Sequence, residues 1–340
     1  MNLSALGRQQ LEQFVALMYA AAGVPAGGEF AVQPRMLQTL HEKIVEDGHW
    51  FLALINVLNV QEITGEKVFM GINGLTSSRT DTSKDDNERV PRNLSDLDNS
   101  RYMLHPTESD IALGYNQIDS WKHFENFADM YRKAYRMAIA NDRLRVGWHG
   151  VKAAKHSDPK ANPNGEDLNI GWLQQLRDYK EGAQHDSGIA IGKGQEVKNL
   201  DQLVSSMKHE MIKPEFRNAP GMVVLVSSDL IGDAEGKYYE SQGDTPSEKV
   251  HLNNGRILQT YGGLQAYVPP FMPDGCVKVT SLNNLSIYTQ EDSWRRTMKD
   301  KPEKNQYQDF NSRNEGYVVE QEEAAAFVEG ITFADAEETV

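Results

Sequence analysis

Hydrophobic positions in this chain follow a helical period in some stretches and a strand period in others. The clearest helical signal runs over residues 121–146. Trp121, Phe124, Phe127, Tyr131, Tyr135 and Ala138 recur at spacings of three, three, four, four and three, which places them on one face of an α-helix. Lys122, Glu125, Asp129, Arg132 and Arg136 fall largely elsewhere on the wheel. At ~1.5 Å per residue the rod is about 39 Å long. Asp119-Ser120 supplies N-cap candidates. Gly147-Trp148-His149-Gly150 ends the helix, because glycine tolerates a left-handed cap. A core helix of any α+β protein carries such a stripe. A cofactor-holding face is disfavoured, because nothing polar interrupts it.

The same period predicts helices over 36–55 (Met36, Leu37, Leu40, Ile44, Val45), 170–176 and 200–212 (Leu200, Leu203, Val204, Met207, Met211). Near the N-terminus, Leu11, Phe14, Val15, Met18 and Ala22 share a face. That segment resembles a secretion signal in its apolar run and Ala20-Ala21-Ala22. Only Arg8 is positive early on, however, and Glu12 and Gln13 sit beside the run, so an amphipathic helix is the better reading. Gly23 ends it, and Pro25-Ala26-Gly27-Gly28 forms a hinge. Met222-Val223-Val224-Leu225-Val226 is a continuous apolar run, the signature of a central strand buried on both faces. Further strands are predicted at 57–63, 265–268, 277–280, 285–289, 317–320 and 325–333. Helices and strands are mixed, so the class is α+β, with no internal repeat.

Between the periodic segments lies a polar excursion over 76–98, longer than a compact domain ordinarily tolerates as structureless loop. Its flanks, Lys67-Val68-Phe69-Met70-Gly71-Ile72 on entry and Tyr102-Met103-Leu104 and Ile111-Ala112-Leu113-Gly114-Tyr115 on exit, have strand composition. This is the pattern of a projecting β-arm. Such an arm cannot bury its own faces and implies a neighbour. The chain therefore reads first as an assembly subunit and only second as a catalyst.

Charge and chemistry narrow this further. The 340 residues carry a net charge of −14 and show no basic patch, which disfavours tight or sequence-specific DNA binding. Loose enclosure of DNA remains compatible. No run approaches the ~18 apolar residues of a membrane helix. Cys276 is the single cysteine, so no intramolecular disulfide forms and a reducing compartment is the natural reading. His149 and His156 lie seven apart, which is no zinc spacing. The run from Gly188 to Gly194 lacks a Gly-Lys-Ser/Thr ending and reads as a hairpin turn. Ser227-Ser228-Asp229 lacks a nucleophile elbow, and Ser228 or Asp229 reads as the cap of the next helix. Glu320-Gln321-Glu322-Glu323 reads as a solvated turn. No catalytic, cofactor-binding or metal-ligating residue is assigned, and no enzyme activity is expected.

Several short motifs occur in order over about 30–333: Gly65-Glu66-Lys67, Thr80-Asp81-Thr82, Gly150-Val151-Lys152, Gly171-Trp172-Leu173-Gln174, Asn284-Leu285-Ser286-Ile287-Tyr288, Asp292-Ser293-Trp294-Arg295-Arg296 and Tyr317-Val318-Val319-Glu320. In these the chain resembles the major capsid proteins of P-two-like tailed phages. The resemblance implies the Hong Kong 97 capsid fold. It implies a scaffold-like leader at 1–30, an N-arm at 31–60 and an extended E-loop at 61–115. A peripheral domain would span 116–199 and 283–333, with its spine helix at 121–146. An axial domain would occupy 200–282 and a tail 334–340. The stretch between Gly182 and Gly194 is shorter than in relatives with a charged insertion there. The implied function is self-assembly, through pentamers and hexamers, into an icosahedral head enclosing double-stranded DNA. The implied partners are further copies of the chain, a portal protein and a scaffolding or maturation protease, with no membrane and no cofactor. Assembly would take place in the host cytoplasm.

Three groups of residues follow from this reading. Maturation cleavage is expected at Phe30-Ala31. Arm contacts are expected from Arg79, Asp81, Lys84 and Arg89. Trp121, Phe124, Phe127 and Tyr131 are expected to pack the spine. An encapsulin-like compartment shell is the alternative of the same fold. A hydrolase using Ser227, Ser228 or His251 is the alternative from another class.

Overall fold

A computed structural model describes residues 5–22, 30–31, 34–67, 69–72, 77, 95–98, 101–121, 127–179, 184–192, 194–231, 252–253 and 256–333. Helix α1 (Ala5–Ala22), strand β1 (Phe30–Ala31), helix α2 (Pro34–Asp47) and strand β2 (Asn56–Val60) come first. Strands β3 (Thr64–Glu66), β4 (Phe69–Ile72), β5 (Ser95–Asp98), β6 (Arg101–Met103), β7 (His105–Glu108) and β8 (Ile111–Gly114) follow. Helices α3 (Tyr115–Trp121), α4 (Phe127–His149) and α5 (Trp172–Asp178) precede β9 (His185–Ser187), β10 (Ala190–Ile191) and α6 (Leu200–Ser206). The remaining strands are β11 (Met222–Val226), β12 (Leu252–Asn253), β13 (Arg256–Tyr261), β14 (Leu264–Tyr267), β15 (Val277–Ser281), β16 (Leu285–Gln290), β17 (Arg295–Lys301), β18 (Gln306–Val319), β19 (Ala326–Glu329) and β20 (Thr332–Phe333).

Two large sheets organise these elements. The first runs β1-β17-β18-β16-β2, with β7 and β8 also on β18. The second runs β12-β13-β14-β11-β15-β19-β9. The apolar run of β11 lies at the centre of the second sheet, parallel to β14 and antiparallel to β15, with all five residues buried. Strand alternation then separates two cores. Val223, Leu225, Cys276, Ala325 and Phe327 face a core shared with the end of α4, with α5 and with Phe51. Val224, Val226, Val277, Val279, Ala326 and Val328 face α6.

Sequence periodicity and the fold part company at several places. Asp119 and Ser120 are not an N-cap: both lie inside α3, which begins at Tyr115, where the Gln117 side chain accepts from the Gly114 N–H at 3.2 Å. Ser120 instead donates its hydroxyl to the Asn116 carbonyl. Nor does α4 stop at Gly147; it continues to His149. Gly147 sits inside because a Cβ there would overlap the Trp172 ring. The chain turns at Gly150, where a Cβ would meet the Asn169 carbonyl and the Gly171 N–H. The helix expected over 36–55 ends at Asp47 and is followed by a 3₁₀ turn at Trp50–Ala53. The helix expected over 200–212 changes to a π turn at Met207–Met211. The segment around Gly188 is no hairpin: β9 runs parallel to β19, and β10 parallel to β20. The second sheet also gathers β9 and β19 from outside the 200–282 block.

Helix α1 is seated on the body. Leu11 and Tyr19 are buried, and the Tyr19 hydroxyl accepts from the Met298 N–H at 3.2 Å. Leu11 shares a core with Tyr115, Ile118, Tyr131 and Met298.

Candidate functional site

Two short strand pairs leave the body between β2 and β7. Strands β3 and β6 pair Thr64 with Met103 and Glu66 with Arg101. Strands β4 and β5 continue the same register, from Phe69 opposite Asp98 to Ile72 opposite Ser95. Together they form one antiparallel ribbon, about 30 Å long at ~3.4 Å per residue. Among the described residues it pairs with no other strand. A lone two-stranded ribbon is marginal in water.

The root of the ribbon is fixed firmly. The Lys67 ammonium donates to the Val319 carbonyl and lies 3.0 Å from Glu322 Oε1. The two side chains are only 9% and 11% exposed. The Tyr102 ring meets Tyr288 edge-on at 5.1 Å, and the Tyr288 hydroxyl donates to Glu320 at 2.8 Å. Leu104 is buried with Val318, and its N–H donates to the Ile63 carbonyl. Glu320 and Glu322 are thus anchor points for the arm, not members of a solvated turn. Close to this root, Leu58, Ile63 and Met103 leave large apolar side chains exposed, as do Met130 and Met137 on α4.

Beneath α4 lies a polar layer that the apolar periodicity does not announce. Strand β18 buries every second residue from Tyr307 on, and four of these, Asp309, Asn311, Arg313 and Glu315, are polar or charged. Tyr131 donates to Asp309 at 3.0 Å. Arg296 grips the same carboxylate through Nε at 3.0 Å and Nη2 at 2.5 Å. Further along the helix, Arg143 Nε reaches Glu315 Oε1 at 2.6 Å. Arg313 holds the other Glu315 oxygen. Trp294 lies under both guanidinium groups, 4.9 Å from that of Arg313 and 6.0 Å from that of Arg143. Burial pushes the Glu315 carboxyl up, but Arg143 and Arg313 outweigh it and bring it down to about 2. Burial raises the Tyr131 hydroxyl well above its ordinary range, and Asp309 adds to this. Tyr131 therefore stays protonated and Glu315 ionised at neutral pH.

The expected site residues fall as follows. Tyr131 packs the spine against the first sheet, as described. The side chains of Trp121 and Phe127, and the whole of Phe124, lie outside the described residues, as do Arg79, Asp81, Lys84 and Arg89. Phe30 and Ala31 form β1, paired with Arg296 and Arg295 on the edge of the first sheet.

The groups considered for chemistry are committed elsewhere. The buried Ser227 hydroxyl accepts from the Cys276 N–H, and Asp229 accepts from the Gly275 N–H. Burial pushes the Cys276 thiol up to about 12, so it stays protonated and poorly nucleophilic. His149 Nε2 lies 2.9 Å from the Phe271 carbonyl, and His251 lies outside the described residues. No cluster of metal-ligating residues occurs among the described residues.

A long helix laid on a sheet by a buried polar layer, a second sheet beside it and a two-stranded ribbon anchored at its root define a shell subunit of the Hong Kong 97 capsid type. The profile of the family described as "Phage major capsid protein, P2 family" matches residues 9–331. The "Capsid proteins" of Escherichia phage P2 are 32% identical over 333 residues, covering 92% of this chain and 91% of theirs. The "Major capsid protein" of Serratia phage KSP20 is 28% identical, covering 97% and 98%. A solved structure of the satellite phage P4 procapsid, which includes the size determination (Sid) protein, holds a chain that superposes with a TM-score of 0.77. That chain is 30% identical, with 96% of this chain and 99% of that one covered. The chain belongs to the P2 family of phage major capsid proteins. Its function is to form the capsid with copies of itself.

Proposed function

We propose that this chain builds, through pentamers and hexamers, the closed icosahedral head of a tailed phage and encloses double-stranded DNA without reading its sequence. The observation that carries this reading is the ribbon: anchored at its root by Lys67 and Tyr102, it pairs with nothing else among the described residues. A neighbouring copy supplies the missing surface, and the exposed Met130, Met137, Leu58 and Ile63 offer apolar contact for it. Spreading adhesion over several such arms lets each contact stay weak while the closed shell is stable. The net charge of −14 favours loose rather than sequence-reading contact with DNA. No catalytic step is assigned to the chain. Assembly takes place in the host cytoplasm, with a portal protein and a maturation protease as partners. The peripheral domain comprises α4 and the first sheet. The axial domain comprises 200–282 together with β9 and β19.

The leader is removed at maturation by a cut close to Phe30-Ala31. Those residues form an edge strand two residues long, so only a few hydrogen bonds hold the bond in place. Deleting residues 77–91 tests the main reading. The shortened chain is expected to fold and to build no stable shells; normal particles from it would overturn the role given to the arm. Mass spectrometry of mature particles tests the leader, and a coat protein still starting near Met1 would refute the cut.

A further inference from the structure

Strand β15 carries a lysine where its neighbours are valines. Val277 and Val279 face the α6 core, so Lys278 points to the opposite side, toward α4. It lies in register between Leu225 of β11 and Phe327 of β19, and Phe327 in turn pairs with His185 of β9. Lys278 is 0% exposed, and its Nζ makes no hydrogen bond. The Nζ stands 5.9 Å from the ring centroid of Trp148, in the last turn of α4. The indole N–H of that same Trp148 is also buried without a partner. The junction between spine helix and second sheet therefore contains two buried donors and no acceptor for either.

The ionisable groups around this point are engaged elsewhere. Cys276, two residues back on the strand, is a neutral thiol. Arg177 of α5 and His185 of β9 both hold Glu329 of β19. Asp229, beyond β11, accepts from the Gly275 N–H through Oδ2, while its Oδ1 is itself buried without a hydrogen bond. On α4, His149 is hydrogen-bonded to the Phe271 carbonyl, and Arg145 lies over the Phe271 ring. An ammonium stripped of water and given no partner is driven toward its neutral form. Desolvation lowers the Lys278 amine to about 7, opposed only by Cys276. Cation–π attraction to Trp148 at this distance recovers only part of the lost hydration.

We propose that Lys278 is a proton-operated switch at this junction: a proton taken up by its amine puts an unpartnered charge beside Trp148, and the junction opens to admit water to it. Opening frees the end of the spine helix from the second sheet and lets the two sheets change their relative tilt. The inference rests on the fold of one subunit and stands whether or not the proposed head architecture does.

Hydrogen exchange on the full-length chain tests it, corrected for intrinsic rates and followed from pH 8.5 to 5.5 over residues 144–150 and 276–280. Both segments are expected to exchange roughly thirtyfold faster at the acid end, in a step that rises about tenfold per pH unit from 8.5 down to the amine's value of about 7 and is level below it. Lys278→Met and Lys278→Leu are expected to remove the step. Equal protection of the wild type across the range, or a step that survives in a folded apolar variant, overturns the proposal. Where neither apolar variant folds, His149→Asn and His185→Asn decide. The step is expected to survive in both, and its loss in either would assign it to an imidazole and overturn the proposal.

Discussion

Replacing Glu315 with Gln keeps the shape of the side chain and removes the one negative charge between two guanidinium groups. The Glu315 side chain is 1% exposed, with Arg143 Nε 2.6 Å from one oxygen and Arg313 Nη2 2.9 Å from the other. After the change, two like charges face each other without solvent. Removing one partner of a buried pair costs about 3–5 kcal/mol, because the remaining charge stays buried and uncompensated. Proton linkage gives a consistent figure. The two arginines overcome the desolvation of Glu315 and take its carboxyl from 4.5 to about 2, worth about 3 kcal/mol at ~1.4 kcal/mol per tenfold change in proton affinity. A carboxyl lowered on folding stabilises the protein above its unfolded value. That contribution is lost as pH falls from 4.5 toward 2. Thermal unfolding of the unassembled subunit is the assay. The variant is expected to melt roughly 10 °C lower at neutral pH, using ~2–4 °C per kcal/mol. The gap should narrow as pH falls below 4.5. A gap under about 2 °C, or one unchanged between neutral pH and pH 2.5, would refute the reasoning.

Three further expectations use the same assay or a close relative of it. Tyr131→Phe removes one of several bonds to Asp309, which keeps Arg296 and Asn311; a loss of about 1 kcal/mol is expected, and a loss as large as that of Glu315→Gln would show that Asp309 depends on the tyrosine. Gly147→Ala improves helix propensity by about 1 kcal/mol but drives a methyl group into the Trp172 ring, at about 1–3 kcal/mol for overpacking; a raised melting temperature would contradict the packing described. Lys67→Met removes the ammonium that Glu322 and the Val319 carbonyl share, so exchange protection over 64–66 and 101–103 is expected to fall while the two large sheets keep theirs; undiminished protection of the ribbon would mean that Lys67 is not its anchor.

Legibility in the sequence followed the chemistry of each buried face. Strand β11 and helix α4 were readable because their buried positions are largely apolar, and apolar periodicity is what such reading detects. The root of the ribbon was readable from its strand-like flanks at 67–72 and 102–104, whereas 111–114, read as a third flank, pairs with β18 in the first sheet, and most of the polar span lies outside the described residues. Strand β17 and the first two-thirds of β18 were not, because the face they bury is made of Met298, Arg296, Asp309, Asn311, Arg313 and Glu315. The alternation is there, yet it looks like solvent-exposed sequence until Arg143 and Tyr131 are placed opposite it. Gly147 read as a terminator for want of Trp172, a partner that only the fold supplies. Lys67 and Lys278 gave no signal, since a lysine in a strand is ordinarily on its wet side.

Electron microscopy of the purified full-length chain, expressed without other phage proteins, tests the central claim most directly. Closed shells, or curved sheets with local five- and six-fold clustering, are the predicted result. A chain that stays monomeric, or stops at a small defined oligomer at high concentration, would contradict the account.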